Sequence, residues 1–420
     1  MKKGKKSCKI NKQNLMLILG VDTSCDDTSI ATLKIKNQKS KIKDIEVLSS
    51  VVSSQEKLHA KYGGVWPAMA QREHEKNLVF VLEKALKEAK SIGQKENGNG
   101  KKITEKKQKT LSKILEREPL LKENLLKFLN KYQKPKIEAI AVTIGPGLEP
   151  CLWQGLNFAK ALAFMWEIPI IPVNHLEGHL VSCFLQKTGK NFQFSIFNFQ
   201  KKIWPAMGLI VSGGHTQLVL IKKIGDYKII GQTLDDAAGE CFDKTARILG
   251  LGYPGGPKIA TLAAKATSLP TPNYQIPNNL PRPMMSSKNF DFSFSGLKTA
   301  VLYTWQKIPQ KQKTSKMKTA LAHEIQQAII DVLLHKAIRA ASTFKAKSFL
   351  LCGGVSANKE LRKQFSEKLK AEKPSLGLLT AENGFFTDNG AMIALSGLCN
   401  LKKKQKFPFK NIRANGNLNI

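Results

Sequence analysis

His175 and His179 stand four residues apart. On a helix that spacing stacks both imidazoles on one face, as a metal ion requires. Surface and capping histidines share the spacing, so the pair needs a third ligand from elsewhere in the chain. Glu177 sits one place too late for the H-E-x-x-H arrangement of zincin peptidases and is expected to face away from the pair. Asp388 opens a helical stretch at Thr387-Asp388-Asn389-Gly390, where its plain role is an N-cap.

Three short turns have the composition that surrounds a phosphate with backbone N–H groups: Thr23 to Thr28, Ser212 to Thr216 and Gly353 to Asn358. One such turn is an ordinary tight corner; three in one chain point to nucleotide binding. Neither G-x-x-x-x-G-K-[ST] nor a strand-borne G-x-G-x-x-G occurs, so the phosphate site is of another kind. Asp22, Asp26, Asp27, Asp235, Asp236, Glu240 and Asp243 gather around these turns. Capping and loop solvation account for most of them, while in a phosphate cleft some could hold a metal or hydroxyls.

Strands and helices must position these groups. Leu15 to Val21 reads as a buried strand and Ser29 to Ile35 as its hairpin partner; Met207 to Val211 and Gln217 to Lys222 repeat the unit. One strand–turn–strand unit in each half suggests a duplicated α/β architecture with a cleft between the copies. Leu78, Val81, Leu82, Ala85, Leu86 and Ala89 share one helical face. Ile137 to Ile144 is a strand, and Gly145-Pro146-Gly147 leads into a helix from about Leu152. Leu321, Ile325, Ile329, Val332 and Leu333 mark a long amphipathic helix. Phe349 to Cys352 is a strand that ends at Gly353-Gly354 and a helix near Ala357. Ligands are expected at the loops leaving such strand ends.

The 420 residues suffice for two packed lobes. Against 32 Asp and Glu stand 67 Lys and Arg, a net charge of +35 that attracts polyanions without naming one. Seven scattered cysteines, an odd number with no C-x-x-C pair, read as a reduced, cytoplasmic protein rather than a disulfide scaffold. Basic Met1 to Lys12 followed by apolar Leu15 to Val21 imitates a signal peptide, but Asp22 to Asp27 follow at once and no small-x-small site does. Lys160 and Glu167 break the best membrane-length stretch, so no membrane is expected. Residues 91 to 135 are lysine-rich and leucine-spaced, read as a solvated helical hairpin or, more sharply, as an arm for tRNA or a partner.

Taken in order, these segments resemble the TsaD family of tRNA N(6)-adenosine threonylcarbamoyltransferases, formerly described as O-sialoglycoprotein endopeptidases. The resemblance runs through Gly20 to Thr28, His59 to Val65 with Pro67, Arg72 and His74, Gly145 to Leu148, and His175 to His179. It continues through Val211 to Thr216, Asp235 to Lys244, Tyr253 to Gly256, Phe292 to Lys298, Gly353 to Asn358 and Thr387 to Ala391. It implies the duplicated two-lobed fold of actin, Hsp70 and sugar kinases, ribonuclease H-like in each lobe, with a central interlobe cleft. It implies that His175, His179 and Asp388 hold one divalent metal, iron(II) in many family descriptions or zinc. It further implies contacts to threonylcarbamoyl-AMP from Ile210, Val211, Ser212, Gly213, Gly214, Asp243, Gly256 and Asn358; the residues alone had singled out neither Asp243 nor Gly256. Asp22 stands where the family commonly has Glu, and Phe386 replaces a frequent cysteine.

On this reading a basic tail (1–14) precedes an N-terminal lobe (15–186) carrying the 91–135 insertion. A connector (187–205) leads to a C-terminal lobe (206–399), whose last helix returns to the first lobe, and to a basic tail (400–420). The implied reaction moves the threonylcarbamoyl group onto the exocyclic amine of the adenosine 3′ to the anticodon, in tRNAs reading codons that begin with adenine, with release of AMP. That amine is a poor nucleophile, so positioning and stabilisation of oxyanion charge must carry the rate. No general base stands out; Asp26 or Asp27 is the guess. The partners expected are tRNA with TsaB-like and TsaE-like proteins, or a second copy of the chain. The competing readings are a metal-dependent glycoprotein endopeptidase and a small-molecule kinase or carbamoyltransferase sharing the fold.

Overall fold

The computed structural model describes residues 14–38, 41–95, 103–188, 191–194, 203–266, 279–401 and 411–420. Residues 1–13, 195–202 and 402–410, parts of the expected tails and connector, lie outside them.

Two sheets carry the chain. The first has seven strands: β1 (Asn14–Asp22), β2 (Asp27–Gln38), β3 (Lys41–Ser54), β4 (Ala139–Gly145), β5 (Ile170–Asn174), β6 (Leu185–Thr188) and β7 (Asn191–Phe194), in the order β5-β4-β1-β2-β3-β7-β6. The second has five: β8 (Ala206–Val211), β9 (Thr216–Lys223), β10 (Asp226–Gln232), β11 (Ser348–Cys352) and β12 (Gly377–Thr380), in the order β10-β9-β8-β11-β12. In both, the first three strands form an antiparallel meander, and the next two extend the sheet in parallel from its first strand, β4 then β5 on β1 and β11 then β12 on β8. The duplication suggested by two hairpins therefore extends to five strands of each sheet, which is the two-lobed arrangement expected.

Side-chain alternation along each strand builds the layers. Leu19 and Val21 of β1 face outward, into a core shared with the helices Pro67–Glu88 and Glu149–Trp166. Ile18 faces inward. In the second lobe Met207, Leu209 and Val211 meet the helices Ala238–Ile248 and Ser315–Thr343, while Ala206 and Ile210 face inward. The inward faces of both sheets close on two helices, His175–Ser182 and Gly390–Leu401. Gly390–Leu401 is buried from Gly390 through Leu398, as a helix lying between two sheets must be. At Gly20 and Gly390 its backbone comes so near β1 that a Cβ on Gly20 would stand 2.0 Å from the Gly390 carbonyl oxygen.

The expected solvated hairpin at 91–135 is instead packed. Its helices Glu105–Ile114 and Pro119–Lys131 bury Leu111, Leu115, Leu121, Leu125 and Phe128 against the outer core of the first lobe, because leucines at three- and four-residue spacing form one apolar seam. The expected connector begins as sheet: β6 and β7 pair with each other and β7 with β3. Residues 411–420 are no free tail either. Ile412 and Ala414 join the outer core, and Asn415 donates to the Ile144 carbonyl. Among the described residues, no helix is long and apolar enough to cross a membrane.

Candidate active site

β5 ends at Asn174, whose Oδ1 accepts from the amides of Leu176 (2.9 Å) and Glu177 (3.3 Å) and so starts the next helix at once. His175 and His179 follow on its first two turns, their ring centroids 4.7 Å apart. Asp388 comes from the far end of the chain. The helix it precedes is capped by its neighbour: Asn389 Oδ1 accepts from the Met392 amide at 2.9 Å. Asp388 is thereby free of the capping role that its position suggested. Its Oδ1 lies 3.4 Å from His175 Nε2 and 3.2 Å from His179 Nε2, and its Oδ2 accepts from Ser24 Oγ at 3.4 Å.

These three residues fit a metal. One ligand atom from each lies within 4.8 Å of the others. Both nitrogens of the fully buried His179 lack hydrogen-bond partners, as do His175 Nδ1 and Asp22 Oδ2. Metal–ligand bonds of about 2.1 Å place ligand atoms roughly 3.0–3.4 Å apart, as seen between Asp388 and both imidazoles. The pocket favours cations. Burial pulls the His175 pKa down, but Asp388 and Asp22 outweigh it and hold it up to about 10. Asp388 is held well below the usual carboxylate range: burial pushes it up, and His175 and His179 more than compensate. Asp22, named only among the loop carboxylates from sequence, backs His175 at 3.4 Å.

Glu177 points elsewhere, as its spacing suggested. Its carboxylate accepts from Tyr227 Oη (2.9 Å), Ser396 Oγ (2.9 Å) and Asn400 Nδ2 (3.0 Å), tying its helix to β10 and to Gly390–Leu401. Among the described residues it is a structural tie.

The three turns leave the ends of β1, β8 and β11. Ser212 to His215 close on themselves: the Ser212 amide donates to the His215 carbonyl (2.8 Å), and the His215 amide to Ser212 Oγ (3.1 Å). Gly213 and Gly214 are exposed, with open space where a Cβ would stand. His215 faces the cluster; burial, with His175 and His179 nearby, lowers its pKa to about 4 and keeps it neutral. It stood in the motif, but neither type nor spacing had marked it as part of the site. Ile210 and Val211 are fully buried in β8 and offer no side chain; they set the position of Ser212 to Gly214. Gly353, at φ +88°, lets its turn lie against the Val211 backbone, where a Cβ would meet the carbonyl oxygen at 2.5 Å. Asn358 spends its side chain on structure, capping Lys359–Glu372 and donating to Gln326 Oε1 at 2.8 Å.

The remaining carboxylates divide. Asp235 accepts from the Phe294 and Ser295 amides and from Ser293 and Ser295 hydroxyls, and Asp236 and Glu240 pair with Lys244; these are structural. Asp243 accepts from the amides of Gly255 (2.7 Å) and Gly256 (3.4 Å), which joins two residues that the resemblance had supplied separately. Burial raises its pKa. On the first lobe, burial and the charges of Asp388, Asp26 and Asp22 lift Asp27 to about 7, despite a Ser54 hydrogen bond that lowers it. Asp26 is raised too, chiefly by burial. Behind them His74 Nε2 donates to the Cys25 carbonyl (2.9 Å), leaving Nδ1 to accept from Thr28 Oγ1 (2.7 Å). Burial lowers its pKa to about 4.

A family model described as TsaD, tRNA N6-adenosine threonylcarbamoyltransferase, matches residues 46–94 and 116–395. A protein of Thermosipho africanus named tRNA N6-adenosine threonylcarbamoyltransferase is 39% identical over 389 residues, 92% of this chain and 95% of its own. Proteins of the same name from Persephonella marina (39% over 396 residues, 92% of this chain and 91% of its own) and Bacillus subtilis (37% over 394, 94% and 93%) are also similar. Among solved structures, YeaZ from Pseudomonas aeruginosa aligns with 51% of the chain and 63% of its own at 14% identity and TM-score 0.24, a likeness too slight to argue from.

Proposed function

The chain belongs to the TsaD family of tRNA N6-adenosine threonylcarbamoyltransferases, and from that premise we propose which groups of this molecule carry the transfer. The substrates are threonylcarbamoyl-AMP and tRNA. The acceptor is the exocyclic amine of the adenosine 3′ to the anticodon, in tRNAs reading codons that begin with adenine, and AMP leaves. That base lies in a single-stranded loop and reaches a cleft without duplex opening.

His175, His179 and Asp388 would hold the metal, iron(II) before zinc. When bound, it supplies Lewis acidity to the carbonyl or phosphate oxygens. The orphaned nitrogens of His179, beside Asp388 and the Ser212–His215 turn, are the observation that carries this reading. The exposed Gly213 and Gly214 backbone would grip the mixed anhydride, and the open space around both leaves room for it. Asp243 would order the Gly255–Gly256 amides at the nucleoside end. Asp27, held up to about 7, has the affinity to take the proton that the amine loses. His215 would stay neutral beside the cluster and add no competing charge.

The peptidase reading is not favoured, because Glu177, the carboxylate inside the histidine pair, is bound to three structural donors. The expected TsaB-like and TsaE-like partners, or a second copy of the chain, remain part of the proposal, as does a cytoplasmic setting. The test is transfer of labelled threonine to unmodified tRNA by purified protein, with and without those partners, beside His179→Ala. Label in the nucleoside that requires His179 supports the assignment. A wild-type protein that phosphorylates a small molecule and never labels RNA would favour the kinase reading.

A further inference from the structure

Outside the site, the first lobe carries a surface that the transfer chemistry does not use. Tyr62 and Trp66 are 53% and 56% exposed, and their rings meet edge to face at 5.9 Å. Single exposed rings are ordinary, but two in mutual contact make a contiguous apolar face of the kind that marks an interaction surface. The backbone of Trp66 is held in place. The Trp66 amide donates to Nδ1 of the buried His59 at 3.3 Å, and His59 Nε2 donates to Gln55 Oε1 at 3.0 Å. A Cβ on Gly63 would stand 3.2 Å from Arg247 Nε, one helical turn after Asp243, so the aromatic pair sits at the mouth of the interlobe cleft.

From there the surface continues under the insertion. Trp66, Pro67 and Ala68 are exposed and lead along the first turn of Pro67–Glu88 to Gln71, while the Pro67 carbonyl oxygen packs 3.9 Å from the buried Cys151 Sγ of the helix Glu149–Trp166. Pro150 and Trp153 on that helix, with Gln71 from the facing one, line a cleft of about 520 Å³ whose other wall is Lys113, Ile114 and Glu116 to Glu118. Lys113 and Arg117 are exposed and have no ion-pair partner among the described residues. Glu118 is 2% exposed; its Oε1 accepts from Asn157 Nδ2 at 3.0 Å, and its Oε2 has no partner. The insertion at 91–135 holds twelve Lys and Arg against five Glu. Helix Glu105–Ile114, with Lys113, lies in the gap between the two stretches that the family model matches, whereas Arg117 and Glu118 fall inside the second stretch.

An aromatic face and two cations without an ion-pair partner match two parts of a nucleotide, its ring and its phosphate. The cleft is close to the reaction. Two residues before Pro150, the Leu148 amide donates to the Ser24 carbonyl at 2.7 Å, and Ser24 Oγ reaches Asp388 at 3.4 Å. The path from cleft to cluster is therefore at most roughly 17 Å, within reach of a few nucleotides.

We propose that the Tyr62–Trp66 pair and the cleft beneath the insertion form one track for the unpaired nucleotides beside the modified adenosine, with stacking on the aromatics and phosphates on Lys113 and Arg117. This rests on the reading of the chain as a tRNA-modifying enzyme. The insertion's excess of Lys and Arg over Glu favours a polyanion over a protein partner.

The experiment uses the full chain and an unmodified tRNA transcript, with binding followed by anisotropy from low to moderate salt. Lys113→Ala/Arg117→Ala should weaken binding about tenfold and flatten the slope of log K against log salt by about 1.4, two single-strand phosphate contacts. Trp66→Ala should weaken binding about tenfold with the slope unchanged, and Trp66→Phe should restore it. All three side chains are exposed, and circular dichroism of each variant confirms that it folds. Unchanged affinity and slope in the double variant would overturn the track. So would variants that bind tRNA normally while losing a TsaB-like protein. Failure of threonine transfer by the wild type sinks the proposed function, and the binding result is read separately from it.

Discussion

Replacing Gly20 with alanine would set a methyl group 2.0 Å from the Gly390 carbonyl oxygen, 2.7 Å from the Ala394 amide nitrogen and 2.8 Å from its Cβ. The nearest neighbours are backbone, so no rotamer change relieves them. Ordinary contact begins near 3.4 Å, which requires β1 and the helix Gly390–Leu401 to part by about 1.4 Å. Asp388 lies two residues before that helix and reaches the histidines at 3.2 and 3.4 Å. Metal–ligand bonds tolerate about 0.2 Å, so a shift of this size takes the carboxylate out of range. The expected result is a loss of about 1–3 kcal/mol in stability together with a fall in metal affinity of about 100-fold or more. Cobalt or zinc titration against a chelator reads the affinity, and urea unfolding of the same sample reads the stability. Asp388→Asn should lose the metal without the same strain. A folded Gly20→Ala protein that titrates metal like the wild type would refute the argument that this contact sets the third ligand.

Gly213→Ala has nothing within 4 Å of the new methyl, so stability should change by less than about 0.5 kcal/mol while the Kd for AMP rises; equal affinity by calorimetry would remove Gly213 from the substrate groove. Glu177→Gln turns an amide toward three donors and should cost about 1–3 kcal/mol in urea unfolding, yet leave metal affinity near wild type, the opposite of what a water-activating glutamate predicts. His74 is held neutral with a pKa of about 4, so between about pH 6.5 and 4 the unfolded chain takes up a proton that the fold refuses. That lowers stability on acidification by about 3 kcal/mol in all. Asp27, raised to about 7, works the other way, since its folded form takes up the proton first and stability is regained as pH falls toward 3.8. Asp27→Asn should therefore lose urea stability more steeply than the wild type between pH 6.5 and 4.5, and parallel curves would contradict the raised pKa of Asp27. The same variant should lose the rise in transfer rate through about pH 7 that a base with Asp27's pKa imposes.

Local pattern carried much of this molecule. The short apolar runs Leu15 to Val21 and Met207 to Val211, and the period of 3.6 in Leu321 to Leu333, reflect the geometry and burial of single elements, so strands and helices were readable in the chain. The histidine pair was readable for the same reason, because four residues make one turn. Whether the insertion packed or floated was not, since its leucine seam needed a partner surface that only the outer helices provide. Asp388 shows the limit most plainly. Its sequence neighbourhood reads as a helix cap, and what released it was Asn389 taking the cap while Gly20 and Gly390, 370 residues apart, brought the helix against β1, a separation no local pattern spans. The environments of Asp27, His74 and His215 were equally invisible, because a pKa is set by burial and by charges from other segments. Composition and spacing act along the chain, and they determined the elements and the ligand types. Burial, orphaned atoms and the meeting of distant residues exist only once two sheets close on the helices between them, and those decided the site.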